Sequence, residues 1–362
     1  MHNKDLIIFG FTPHDLNSYH PMYVKWGLFF HKEENFVLEG SQSLNDYVLA
    51  NKIKCFDNIK DLNNYFLFAD FGNTYKEIDI FILGKYEFTK KKKVEYLNDI
   101  ITECNKLNNV KLNVIGDTNK WEYFYDKVEF YKLLENNSLD NYAKYKVLNF
   151  EDISSVREIE LSYPVLLKEA KASGGNDSYF INSPEELIIK MSQIKRQFIS
   201  NKLFNKKWFI VEFIDTRYQF GFYLSYRVLG LRNIPYFIYP NVSYHNPITH
   251  VSENDKITID EYSKALNACT RIFNVNYMLF KQIFKLLDNP FSALDFLVDN
   301  NGKIVFSECE LKYGPSQKYI SNQIYHYNLD DEHFENIRKD IQSKFYTFDD
   351  VFLKFQGNTE HV

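Results

Sequence analysis

The sequence predicts a chain of two characters, an N-terminal α/β unit followed by α+β structure. Three observations point there. Strand, helix and strand patterns alternate across the first 118 residues. Beyond them, amphipathic helices alternate with short buried strands and one glycine-bearing loop. Near the end, Asn301-Gly302 sits between two apolar runs, the strongest short-range signal for a β-hairpin.

The elements follow in order. Residues 5–11 (DLIIFGF) and 78–84 (IDIFILG) are apolar runs of strand length. Residues 94–107 (VEYLNDIITECNKL) carry apolar side chains at helical spacing, and 110–115 (VKLNVI) return to a strand. Residues 124–136 (FYDKVEFYKLLEN) predict an amphipathic helix entered through Asp126. Residues 163–169 (YPVLLKE) read as a strand with Pro164 at its edge, where a missing N–H does little harm. The loop 171–178 (KASGGNDS) and a short strand over 179–181 come next. Ser183-Pro184-Glu185-Glu186 opens a helix to about residue 198, with a serine cap, proline in the first turn and acids at the positive dipole end. Strands over 207–214 and 222–229, a mainly helical stretch over 256–273, the hairpin 293–310 and a C-terminal helix over 330–345 complete the chain.

Composition narrows the class. With 362 residues, 45% hydrophobic, 25% charged and a net charge of -5, the chain is globular. Its length suits two or three units of roughly 100–200 residues each. Mild acidity without a basic stripe argues against nucleic acid, and the lysine run 90–93 reads as a solvated loop. Four cysteines without a C-x-x-C pair give neither a disulfide framework nor a zinc site. No apolar run reaches bilayer length, and the one in MHNKDLIIFGF is too short for a signal peptide. A cytoplasmic protein with no membrane partner is expected.

The most informative stretch is ALDFLVDNNGKIVFSECE. If Asn301 and Gly302 form a two-residue loop, Asp295 faces Glu308, and alternation puts Glu310 on the same face as Glu308. Opposed Cβ atoms lie about 4.5–5.5 Å apart, where like charges repel. The hairpin is otherwise apolar on both faces, with Leu294, Phe296 and Val298 on one and Leu297, Ile304 and Phe306 on the other. A buried carboxylate cluster needs a counter-charge. All-oxygen ligands without His or Cys favour magnesium, which binds a few carboxylates together with substrate phosphates. Cys309, between two of the acids, should point to the opposite face as packing.

Lys168 lies within an apolar strand, where a buried ammonium requires a partner. Ser173-Gly174-Gly175 follow closely, and such a loop lets backbone N–H groups approach phosphate oxygens. Neither G-x-x-x-x-G-K-[ST] nor G-x-G-x-x-G is present, and a Gly-Gly pair alone is an ordinary turn.

Taken together, Lys127, Lys168, the Ser173-Gly174-Gly175 loop, IVEFI at 210–214 and the hairpin with Asp295, Glu308 and Glu310 resemble an ATP-grasp protein, over roughly residues 116–325. The resemblance implies an N-terminal α/β domain (1–118), then an ATP-grasp fold of two α+β subdomains (119–206 with the glycine-loop lid, 207–325 with the metal site) and a helical tail (326–362). ATP would lie between the subdomains. By the same resemblance Lys127 contacts phosphate, and Lys168 reaches the α-phosphate and adenine side. Ser173, Gly174 and Gly175 cover the phosphates. The hinge Glu212, Phe213 and Ile214 reads the adenine edge, and Asp215 is the candidate for a ribose hydroxyl. Arg227 faces the γ-phosphate or acyl phosphate and, with Lys168, is the implied catalytic pair. Asp295, Glu308 and Glu310 are the implied ligands for Mg2+, with Mn2+ as an alternative. One departure stands out: the family's last ligand is Asn in Glu-x-Asn, and here it is Glu310.

The implied activity is an ADP-forming carboxylate–amine ligase acting through an acyl phosphate, with small-molecule substrates and room for a homodimer. A kinase of the same fold and a non-catalytic nucleotide-binding protein are the other classes. Substrate selection is expected in the N-terminal unit, in 230–256 and around 312–316.

Overall fold

The structure is a computed structural model describing residues 5–9, 54–56, 59–68, 76–82, 99, 102, 110–115, 117–150, 160–172, 177–201, 206–245, 247–248, 259–289 and 291–310. Its described strands form three four-stranded sheets.

The first sheet is parallel, in the order β2-β1-β3-β4, built from β1 (Asp5–Phe9), β2 (Lys54–Phe56), β3 (Lys76–Ile82) and β4 (Val110–Ile115). Helix α1 (Ile59–Phe68) follows β2. Strands β1, β3 and β4 fall on the apolar runs expected to be strands, whereas β2 and α1 carry no clear sequence pattern. Of the helix expected over 94–107, only Asp99 and Thr102 are described, and the helix expected over 330–345 lies outside the described residues.

A short 3-10 turn (Thr118–Lys120) leads to α2 (Glu122–Tyr125) and α3 (Lys127–Asn136). Asp126 separates the two helices and enters α3 as predicted. Its backbone is extended, and its carboxylate accepts from the N–H groups of Val128 (3.0 Å) and Glu129 (3.3 Å). That satisfies two of the donors every helix start leaves open. Lys207 Nζ secures the cap, 2.8 Å from Asp126 Oδ2 and 2.9 Å from Glu129 Oε1.

The second sheet is antiparallel, in the order β5-β8-β6-β7, from β5 (Tyr145–Val147), β6 (Val165–Glu169), β7 (Ser178–Ile181) and β8 (Trp208–Glu212). Helix α4 (Pro184–Asn201) packs Leu187, Met191 and Ile194 onto Val165, Leu167, Ile181, Trp208 and Ile210. Its serine cap is as predicted: Ser183 Oγ accepts from Glu186 N at 3.2 Å.

The third sheet is also antiparallel, in the order β10-β9-β11-β12, from β9 (Tyr223–Leu231), β10 (Ile234–Ser243), β11 (Phe291–Val298) and β12 (Ile304–Glu310). Strand β10 is not legible in the sequence because Pro235 and Pro240 interrupt it. It is an edge strand, where proline is tolerated. Helix α5 (Ile259–Leu287) runs well beyond the helical stretch expected over 256–273. It buries Phe280, Ile283, Phe284 and Leu287 against one face of this sheet, with Phe280 5.2 Å from the Phe296 ring and 6.2 Å from Phe306. The opposite face carries Arg227, Asp295, Glu308 and Glu310 beside apolar Leu229 and Ala293. Among the described residues no helix is long and apolar enough to cross a membrane.

Candidate functional site

The β11–β12 hairpin reaches the expected pairing of acids by an unexpected route. Asp295 does lie opposite Glu308, and Ala293 opposite Glu310. The turn, however, is not the two-residue loop that Asn301-Gly302 predicts. Asp299 N donates to Lys303 O (3.0 Å), and Gly302 N donates to Asp299 O (2.9 Å). Asp299 Oδ1 accepts from the N–H groups of Asn301 (2.9 Å) and Lys303 (2.8 Å), and Gly302 has φ +81°. The longer loop shifts the register, so Phe296 faces Phe306 and Val298 faces Ile304. Ile304 and Phe306 therefore share the core face of Phe296 and Val298, correcting the predicted assignment of faces.

A bulge at Ser307 cancels the shift. One extra residue on β12 turns Glu308 and Glu310 onto the face of Asp295, away from α5. The bulge is held from two sides. Tyr131 Oη donates to Ser307 O at 3.1 Å, and Ser307 Oγ donates to Asp295 O at 3.2 Å. Burial, and then Glu308, push the Tyr131 phenol well above its ordinary pKa, so it remains a donor. Cys309 is buried on the opposite face as expected, its thiol donating to Tyr123 O at 3.0 Å. Neither Tyr131 nor Ser307 carries a sequence signal, since a tyrosine in an amphipathic helix and a serine in a strand are unremarked residues.

Each of the three acids offers an oxygen within 4.8 Å of the others. Cations meet them from three elements. Arg227, on β9 directly opposite Asp295, places Nε 2.5 Å from Oδ1 and Nη2 2.5 Å from Oδ2, and Nη2 also lies 3.0 Å from Glu310 Oε2. Lys127 is the first residue of α3, where the helix dipole disfavours a cation. Its partners explain it: Nζ is 2.9 Å from Glu308 Oε2 and donates to Ala172 O at 2.5 Å. Lys168, on β6, adds its field to that of Lys127 at Glu308. Three carboxylates thus face three cationic side chains.

The protonation pattern follows from that balance. Burial would raise Glu308, but Lys127 and then Lys168 hold it down to about 2. Burial pushes Asp295 up to about 6 even against Arg227, with Glu308 and Glu310 adding to the rise. Burial lowers the Lys168 ammonium, opposed by Glu308 and Asp295 and reinforced by Lys127. Burial also works against Lys127, but Glu308 outweighs it and raises the ammonium. Arg227 is held charged by Asp295 and Glu310 against the same cost. An all-carboxylate donor set fits a hard divalent cation. Both oxygens of Asp295 are engaged by Arg227, so a metal there would compete with the guanidinium.

The remaining predicted residues fall elsewhere. Ser173, Gly174 and Gly175 lie outside the described residues. The flanks of that loop are fixed by Ala172 O on Lys127, by Glu169 N donating to Asp177 O (3.0 Å), and by Lys206 on Asp177 (2.6 Å). Glu212 ends β8, and Phe213, Ile214 and Asp215 begin the crossing from the second sheet to the third. Glu212 N donates to Lys144 O at 2.9 Å, and the Phe213 ring meets Phe180 edge-on at 4.9 Å. Asp215 is exposed and held by Arg217, with Nε 2.9 Å from Oδ1 and Nη2 2.5 Å from Oδ2.

No protein-family model matches the chain, and no curated protein matches it. Among solved structures it is similar to the D-alanine–D-alanine ligase of Bacillus anthracis complexed with ATP, at 11% identity over 94% of this chain and 99% of that one, TM-score 0.46. It is similar to a RimK domain protein ATP-grasp from Sphaerobacter thermophilus, at 11% identity over 88% and 99%, TM-score 0.44. A third is the biotin carboxylase domain of the Hydrogenobacter thermophilus 2-oxoglutarate carboxylase in complex with MgADP, ADP and bicarbonate, at 11% identity and TM-score 0.45. There the match covers 86% of this chain and only 65% of that one. These neighbours are ATP-grasp enzymes.

Proposed function

We propose that this chain is an ATP- and magnesium-dependent ligase of the ATP-grasp class, which activates a substrate carboxylate as an acyl phosphate and joins it to an amine. The observation that carries the reading is the meeting of Asp295, Glu308 and Glu310 with Lys127, Lys168 and Arg227, drawn from two sheets and a helix start. On this reading the units are 1–118, 119–206, 207–325 and 326–362, the location is cytoplasmic, and the partners are small molecules.

Asp295, Glu308 and Glu310 would hold magnesium, or manganese with the same oxygen chemistry, and the ion supplies charge neutralisation at phosphate oxygens. Lys127 and Lys168 bind the phosphates of ATP, leaving little covalent work for the protein. Arg227 orients the carboxylate and offsets the charge that develops as its oxygen attacks the γ-phosphorus. ADP leaves, and an amine then displaces phosphate to give the amide. Ser173, Gly174 and Gly175 exclude water from the acyl phosphate. The backbone of Glu212, Phe213 and Ile214 reads the adenine, and Asp215 the ribose once released from Arg217.

The test is ADP release from ATP and magnesium with a pool of carboxylates, with and without amines. Glu308→Gln should lose ADP formation while keeping the wild-type circular dichroism. Undiminished turnover would remove Glu308 from the machinery. A stable phosphorylated product formed without an amine would replace the ligase by a kinase.

A further inference from the structure

The face of the third sheet that carries the acids continues beyond them. Tyr239 pairs with Arg227, Arg227 with Asp295, and Asp295 with Glu308, so one row of side chains crosses all four strands. Asn241 pairs with Ser225 one row further along, about 7 Å away at the rise of a strand. The opposite face of the same strands carries Leu224, Val228, Ile238 and Val242, all buried. The polar residues of the site face are buried: Arg227 is 8% exposed, Ser225 8% and Asn241 6%.

Asn241 stands apart from its neighbours on the site face: its side-chain Oδ1 is buried and accepts no hydrogen bond from the described residues. A buried carbonyl without a donor destabilises the protein that contains it, and such groups are few in folded proteins. The acceptor is aimed onto the same face as the Arg227 guanidinium, one row away.

We propose that Asn241 is a substrate-recognition residue, whose Oδ1 accepts a hydrogen bond from a hydroxyl or amino group of the carboxylate substrate while Arg227 engages its carboxyl end. The substrate is then a small hydroxy or amino acid rather than a plain aliphatic carboxylate. This inference rests on the proposed ligase reading. Sites built to pair with a donor reject the analogue that lacks it, because their own polar group is then left buried and unmatched.

The test is calorimetric binding to the full chain, with magnesium and a non-hydrolysable ATP analogue, of matched carboxylates: propionate, lactate and alanine; succinate, malate and aspartate. At least one donor-bearing member should bind tenfold or more tightly than its plain partner. Asn241→Leu should abolish that preference while leaving nucleotide affinity unchanged and thermal stability equal or higher, the opposite of what a structural role gives. Asn241→Asp, which keeps an acceptor, should retain the preference for the amino acids. No preference in the wild type, or a preference that survives in Asn241→Leu, overturns the inference while nucleotide binding keeps the ligase reading alive. Folded wild type that fails to bind the nucleotide overturns the ligase reading, and the inference with it.

Discussion

Gly230 lies on β9 opposite Ser292, three residues from Arg227, and faces α5. A Cβ built there would sit 2.6 Å from the ring of Phe284, which is itself fully buried. The helix is thus seated against bare backbone at the strand that carries the central arginine. Gly230→Ala must push a packed ring aside, and overpacking of this kind costs about 1–3 kcal/mol. The midpoint of urea unfolding should fall accordingly, and Phe284→Leu combined with Gly230→Ala should cost less than the two changes summed. A midpoint unmoved by Gly230→Ala would mean that the helix is not seated as described. Gly302 is the contrasting case, with open space around its Cα but φ +81°, so that its requirement is conformational rather than steric.

The hairpin shows how an element can be right in outcome and different in construction. Its acids were legible because two departures cancel: the two-residue loop expected at Asn301-Gly302 pairs Asp295 with Glu308, and the longer loop and the bulge together reach the same pair. The loop length was not legible, since the same Gly can close a two- or a three-residue turn. Nor was the compensating bulge, which depends on Tyr131, 176 positions away in sequence. If the bulge aims the acids, loosening it should weaken metal and nucleotide binding rather than folding. Tyr131→Phe removes one donor from Ser307 O, and a single buried hydrogen bond is worth about 0.5–1.5 kcal/mol net. The affinity for Mn·ATP should therefore fall roughly 2- to 10-fold, as 1.4 kcal/mol is a factor of ten, with little change in unfolding midpoint. Unchanged affinity in Tyr131→Phe would detach the bulge from the site. Strand β10 and the second half of α5 were missed for local reasons: two prolines break the strand pattern, and Asn274, Asn276 and Tyr277 dilute the helical one. Lys168 and the β6 strand around it were legible because a lysine in an apolar strand has few bland explanations.

At the scale of the molecule, the second and third sheets are joined through the segment that carries α3. Phe306 N donates to Asn141 O (2.7 Å), Asn141 Nδ2 donates to Ile304 O (3.1 Å), and Tyr142 bridges to Phe306, so the outer edge of β12 is covered rather than open. Tyr131 and Cys309 add bonds in the same direction, and Lys127 to Glu308 closes the connection at the site. A nucleotide that engages Lys127 and Lys168 on one side and a metal held by the three acids on the other would bind only the assembled pair of sheets. Ligands that bind the native state alone stabilise it by mass action, by about 2.7 kcal/mol at one hundred times Kd. Thermal unfolding should therefore move to higher temperature when ATP and magnesium are added together, and return to the unliganded midpoint when EDTA removes the metal. Glu308→Gln should show a much smaller shift, because the metal loses a ligand and Lys127 loses its partner. A midpoint indifferent to saturating Mg·ATP would show that the facing charges serve the join between the sheets and not a nucleotide.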